Sequence, residues 1–202
     1  MNLLYITYLL NWFLMIAMPL GLAIYLTHAW KLSWRFWLVG AATFILSQVG
    51  HIPFLYLTNL ALNRPPLVNI FLDMPKIGLV IFNGIFLGLA AGLFEELSRY
   101  AMFRWWARDA RSWRTGLLTG AGHGGVEAII MGVLALFGFI NLVALRDPAV
   151  MATVPADQLA TVQAQVAAAW AAPWYDTLLG AVERLSAIII RLAHCRLQVN
   201  NH

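Results

Sequence analysis

Ionisable side chains interrupt the most apolar parts of this sequence, and their spacing suggests chemistry. The stretch GLFEELSRY closes one apolar run with Glu95, Glu96 and Arg99. Glu95 and Arg99 are four residues apart and Glu96 and Arg99 three, so one helix face carries them. GAGHGGVEA places His123 and Glu127 four apart, with Gly120, Gly122, Gly124 and Gly125 around the histidine. Glu183 and Arg184 lie in GAVERLSAI, followed by Arg191 and His194, while SQVGHIPF holds Gln48 and His51. Carboxylates and imidazoles are the groups of general acid–base catalysis. One arginine between two glutamates pairs with one and leaves the other less compensated. Glu95, His123 and Glu127 also form an oxygen-and-nitrogen set that could hold zinc. No H-E-x-x-H motif accompanies them, and the reading favours a metal-free reaction.

Plainer readings stand beside these. Glu95, Glu96 and Arg99 would serve as snorkelling charges at a helix end. His123 and Glu127 would form an interhelical hydrogen-bond pair, and Glu183–Arg184 an ion pair against another helix. What sets the chemical reading apart is coincidence of depth, which depends on the elements carrying these residues.

Those elements are membrane helices. The 202 residues are 61% hydrophobic and 11% charged, with a mean hydropathy of +0.74, whereas soluble domains are about 45–50% apolar and about 25% charged. Five segments have the length and apolarity of spans: Leu3–Thr27, Phe36–Leu60, Ile77–Arg99, Thr115–Leu145 and Thr177–His194. Backbone groups in lipid must pair internally, so the spans are helical, with Pro19 and Pro53 inside the first two. The fold expected is all-α, a polytopic transmembrane bundle forming one membrane domain over residues 1–202. A single cysteine, Cys195, excludes a disulfide framework and a cysteine-rich metal site. The first apolar run lacks a basic leader and is too long for a signal peptide, so it stays in place.

Orientation follows from Lys and Arg. Lys31, Arg35, Arg99, Arg104, Arg108, Arg111, Arg114, Arg191 and Arg196 fall on one side, and Arg64, Lys76 and Arg146 on the other, nine against three. The bias predicts an inner-membrane protein with its N-terminus outside and its C-terminus in the cytoplasm. Trp105, Trp106 and Trp113 fit the cytoplasmic aromatic belt. The formal charge of +4 is thereby explained by topology, and no nucleic acid is expected as a partner. Segment 146–176 has no Lys or Arg after Arg146, and Leu159, Val162, Val166 and Trp170 share a helical face. It is read as a helix lying on the outer surface, although a plain connector would fit it as well.

A rise of about 1.5 Å per residue places Glu95 near the cytoplasmic end of the third span and His123 about two turns into the fourth. Arg191 and His194 reach a similar level in the fifth. His51 and Glu183 fall in the outer half and are given supporting, structural roles.

At these residues the sequence resembles the YhfC family of intramembrane peptidases, grouped with the CPBP and Rce1-type prenyl-endopeptidase clan. FEELSRY, GAGHGGVEAI, GAVERLSAI and SQVGHIPF carry the likeness, which runs from about Phe36 to Ile190. It implies peptide hydrolysis at the membrane, with Glu95 as the water-activating base, Glu96 and Arg99 supporting it, and His123 holding the water or polarising the carbonyl. The substrate implied is a peptide or membrane protein, beside lipid as the surrounding partner. The family has been named a metalloprotease, whereas the clan favours a glutamate mechanism without metal. Arg99 follows Glu96 after two residues, where the clan more often has three. The third motif's histidine is expected at position 191, which is Arg191, and His194 lies one turn later without the expected partner. The polar ending RLAHCRLQVNNH is read as a truncated or frame-shifted terminus, with activity below that of a longer relative. The competing class is a membrane protein without enzymatic activity, a transporter or an assembly factor. A transporter places polar sites near the midplane, whereas the polar residues here gather toward one edge.

Overall fold

Long apolar runs punctuated by proline and polar turns become eight α-helices in the computed structural model, which describes residues 3–110 and 112–200, with side chains described through Ala193. They are α1 (Leu3–Trp30), α2 (Arg35–Leu62), α3 (Leu67–Leu72), α4 (Lys76–Ala101), α5 (Trp113–Ala144), α6 (Pro148–Met151), α7 (Ala156–Ala171) and α8 (Leu179–Asn200). A π-helical turn, Met102–Trp106, continues α4, and a 3-10 turn, Asp176–Leu178, leads into α8. No strand occurs among the described residues.

Four helices are long and apolar enough to cross a membrane: α1, α2, α4 with its π turn, and α5. They coincide with the first four expected spans. The fifth expected span corresponds to the 3-10 turn and α8, which is not among the four found over the described residues, and His194 lies outside the residues whose side chains are described. The sequence reading passed over α3, a six-residue helix in the connector between α2 and α4.

α5 is the central helix and packs against α1, α2 and α8. Its start is fixed by a capping box in which Ser112 and Thr115 satisfy one another's backbone N–H groups. Its glycines let neighbouring backbones touch. A Cβ on Gly122 would run into the Trp37 carbonyl of α2, and one on Gly40 of α2 into the Thr119 carbonyl of α5. Small residues are the usual means of close helix approach where lipid provides no hydrophobic drive between helices. This contact seats His123 fully buried, with its ring edge-on to Phe44 of α2 at 5.5 Å between centroids.

α4 is held differently. It packs chiefly against α2, and its buried residues are Ala90, Glu95, Ser98 and Arg99. Three of these four are polar, so α4 turns its polar face inward and its apolar residues outward. Its π turn is anchored by Met102 and Phe103, both buried with Ala107 and Ala110 against Phe36 and Val39. At the other end of the bundle, α7 lies against the start of α1. Leu159, Val162, Val166 and Trp170 form its half-buried face, and Trp170 packs on Tyr5 at 4.9 Å with the Arg146 guanidinium over its ring.

Candidate functional site

The inward face of α4 meets α5 and α8 in a cluster of charges. Glu95 is 6% exposed, and His123 and Arg99 are fully buried. Glu95 Oε2 lies 3.9 Å from His123 Nε2 and 3.7 Å from an Arg99 guanidinium nitrogen. Glu95 Oε1 accepts a hydrogen bond from Arg191 Nη2 at 2.7 Å, and the same nitrogen donates to Glu127 Oε2 at 2.8 Å. Arg184 Nη1 donates to Glu127 Oε1 at 2.7 Å. Arg191 therefore ties α4 to α5 and α8 through one guanidinium. Gly124 makes room for it, since a Cβ there would stand 3.1 Å from the Arg191 stem.

Glu95, His123, Arg99 and Glu127 are thus brought together from two helices. Glu96 is at the edge, its side chain 47% exposed and paired with Arg99. Glu127 does not bond His123, four residues earlier. Both its oxygens are taken by arginines of α8, an interaction that spacing within α5 could not reveal. Glu183 turns outward and pairs with Arg184 of its own helix at 2.5 Å, leaving Arg184 as the residue that crosses to α5.

Beyond Glu95 and Glu127 runs a cavity of about 230 Å³, lined by Phe44, Gln48, His51, Ala91, Ile130 and Met131 in addition to the two glutamates. His51 is at its far end, its ring 5.6 Å from that of Phe94 and its buried Nε2 without a hydrogen-bond partner among the described residues. The depth estimate that put His51 farther out than Glu95 is compatible with this, because the cavity is long enough to reach both. Gln48 donates to Ser47 Oγ at 3.1 Å. Asn83 of α4 lines a separate pocket between α2 and α4.

Residues 14–199 match the family described as YhfC intramembrane metalloprotease. The chain belongs to the YhfC family. It is also 30% identical over 189 residues to the Bacillus subtilis (strain 168) protein called Uncharacterized membrane protein YhfC, a match covering 87% of this chain and 66% of that one. The chain thus spans just under two thirds of the length of that relative. No solved structure matches.

The family's description implies a metal, and the donors among the described residues do not fit one. Among the described residues no three His, Cys, Asp or Glu side chains are grouped to hold an ion. Guanidiniums occupy three of the four carboxylate oxygens of Glu95 and Glu127. The fourth, Glu95 Oε2, faces one imidazole nitrogen with Arg99 beside it. A divalent ion there would find two protein ligands where catalytic zinc takes three, and it would stand against fixed positive charge.

Proposed function

We propose that the chain is an intramembrane peptidase in which Glu95 activates water. The observation that carries this reading is the asymmetry of the Glu95 carboxylate. One oxygen is anchored by Arg191 at 2.7 Å, while the other faces His123 Nε2 at 3.9 Å, too far for a direct bond. A water molecule held to one side of the pair, at about 2.8 Å from each, would bridge them. Glu95 lines the adjoining cavity, in which a peptide would present its carbonyl, and His123 stands behind it against Phe44 of the cavity wall.

In the proposed reaction Glu95 Oε2 takes a proton from that water, held by His123. The hydroxide attacks the carbonyl carbon, and the negative charge that develops on oxygen is met by Arg99. Its Nε and Nη1 are buried without hydrogen-bond partners among the described residues, which leaves them to meet that charge, and preorganised donors are among the largest contributors to catalysis. Glu95 then returns the proton to the leaving amine as the C–N bond breaks. Glu96 holds Arg99 in place, and Glu127 and Arg184 hold Arg191. The proposal includes the orientation read from basic residues, with the N-terminus outside the plasma membrane, the site toward the cytoplasmic edge, and α7 on the outer surface of a single membrane domain.

A second reading, a YhfC relative without peptidase activity, is favoured by one observation: arginines already engage three of the four carboxylate oxygens. Incubation of the purified chain in lipid vesicles with labelled membrane-spanning peptides separates the two. Cleavage that disappears in Glu95→Gln supports the peptidase. No product from the parent favours the second reading, and equal product from parent and variant removes Glu95 from the reaction.

A further inference from the structure

The cavity has two unlike ends. Its floor is ionic, formed by Glu95 and Glu127. Its far arm is apolar apart from Gln48 and His51. On α2, Phe44, Gln48 and His51 follow at intervals of four and three, so they form one line along the helix face. Phe44 touches His123, and His51 is seven residues farther from the arginine-rich end, about 10 Å at the rise of a helix. On α4 the lining passes from Glu95 back to Ala91, and on α5 from Glu127 on to Ile130 and Met131. All three helices therefore extend the cavity in the same direction, toward the membrane interior. Ile130 and Met131 are 36% and 42% exposed, and α4 leans on α2 rather than on α5. The arm accordingly has a lipid-facing side between α4 and α5.

We propose that this arm is a binding site for an unwound, extended stretch of a membrane-spanning peptide, about three residues long, whose backbone pairs with Gln48 and His51. Three considerations support it. The first is size. A cavity of about 230 Å³ cannot admit a helix about 10–12 Å across, whereas about 10 Å of length accommodates about three extended residues at about 3.3 Å each. The second is chemistry. A peptide unwound in lipid loses its internal hydrogen bonds, and each unpaired backbone group is costly there. Gln48 offers both a donor and an acceptor, and the unpartnered His51 nitrogen offers one or the other. The third is the rest of the lining: Ala91, Ile130 and Met131 suit small or apolar side chains. The identity of the occupant rests on the peptidase reading above.

The test reads binding rather than cleavage, so it stands apart from that reading. The full chain, carrying a photo-cross-linking residue in place of Met131, is placed in lipid nanodiscs. It is offered one of two synthetic spanning peptides, an uninterrupted Leu–Ala helix or the same helix broken by a central Gly-Pro pair. The broken peptide should cross-link and the continuous one should not. His51→Phe retains a ring against Phe94 and removes the nitrogens, and Gln48→Leu removes the amide. Each should weaken capture of the broken peptide by about tenfold, as for a buried partner left unpaired, and His51→Asn should restore part of it. The two single variants act at different positions, so misfolding of one leaves the other to decide. Equal cross-linking of both peptides, or undiminished capture by a folded variant, overturns the proposal. Capture of the broken peptide without any cleavage leaves this site standing and removes the peptidase.

Discussion

Replacing Arg191 by Met should cost more than any exposed charge and should couple to Glu95. Methionine keeps an unbranched stem to lie against Gly124 while deleting the cation. Removing one partner of a buried ion pair costs about 3–5 kcal/mol, because a charge is left behind without compensation. Here each carboxylate keeps a second arginine, Glu127 through Arg184 at 2.7 Å and Glu95 through Arg99 at 3.7 Å. The expected loss is therefore below that range, about 2–3 kcal/mol. Glu95→Gln removes the charge on one side only, and Arg191 still has Glu127. A double-mutant cycle over the two positions should give a coupling of about 1–2 kcal/mol, within the usual span for residues in contact. Reversible unfolding in mixed micelles, followed by the fluorescence of the nine tryptophans, measures it. A coupling below about 0.5 kcal/mol, the level at which distant sites simply add, would refute the bridge between α4 and α8.

Gly122→Ala should destabilise the protein by at least about 1–3 kcal/mol as overpacking does, since its Cβ would run into the Trp37 carbonyl and neither backbone can yield; Gly84→Ala meets nothing within 4 Å and should stay within about 0.5 kcal/mol of the parent, and similar melting points for both would count against the α2–α5 contact. Asp109, in the turn before α5, is held below the usual carboxylate range by the hydrogen bond from Arg35 at 2.5 Å. A depressed carboxylate stabilises above its ordinary value of 3.8 and loses that contribution as pH falls through the lowered one. The melting point of Asp109→Asn should therefore lie slightly below the parent at neutral pH and converge with it in acid, the gap being small because both side chains are about half exposed; a gap that widens in acid would contradict the pairing. With Cys195→Ser as background, Arg108→Cys should react with a membrane-impermeant reagent only in inside-out vesicles, and reaction in intact cells would reverse the proposed orientation.

The bundle was legible because lipid imposes one rule per span. Length and apolarity located α1, α2, α4 and α5 to within a few residues, and the helical face of α7 followed from Leu159, Val162, Val166 and Trp170. α3 escaped because six residues carry too little periodicity to separate from a connector. The site was legible in depth but not in azimuth. Rise per residue put Glu95, His123 and either Arg191 or His194 at one level, yet nothing in the sequence said which face of α8 meets α4. Glu127 was legible as an interhelical partner, but spacing within one helix could not name what it meets, two arginines of α8 that offer charge-assisted bonds. Gln48 and His51 were visible as polar residues in an apolar span, but their convergence on one cavity depends on the close contacts of Gly40 with Thr119 and of Gly122 with Trp37 that draw α2 onto α5.

The central claim is that Glu95 hydrolyses a peptide bond within the membrane, and isotope incorporation tests it most directly. The purified chain and its Glu95→Gln variant are incubated in vesicles with a membrane-spanning peptide in water enriched in oxygen-18, and the products are weighed by mass spectrometry. The account predicts two fragments from the parent chain, the new carboxyl terminus carrying one heavy oxygen, and loss of both fragments in the variant. Undiminished, labelled fragments from Glu95→Gln, or an intact peptide after incubation with the parent, would contradict it.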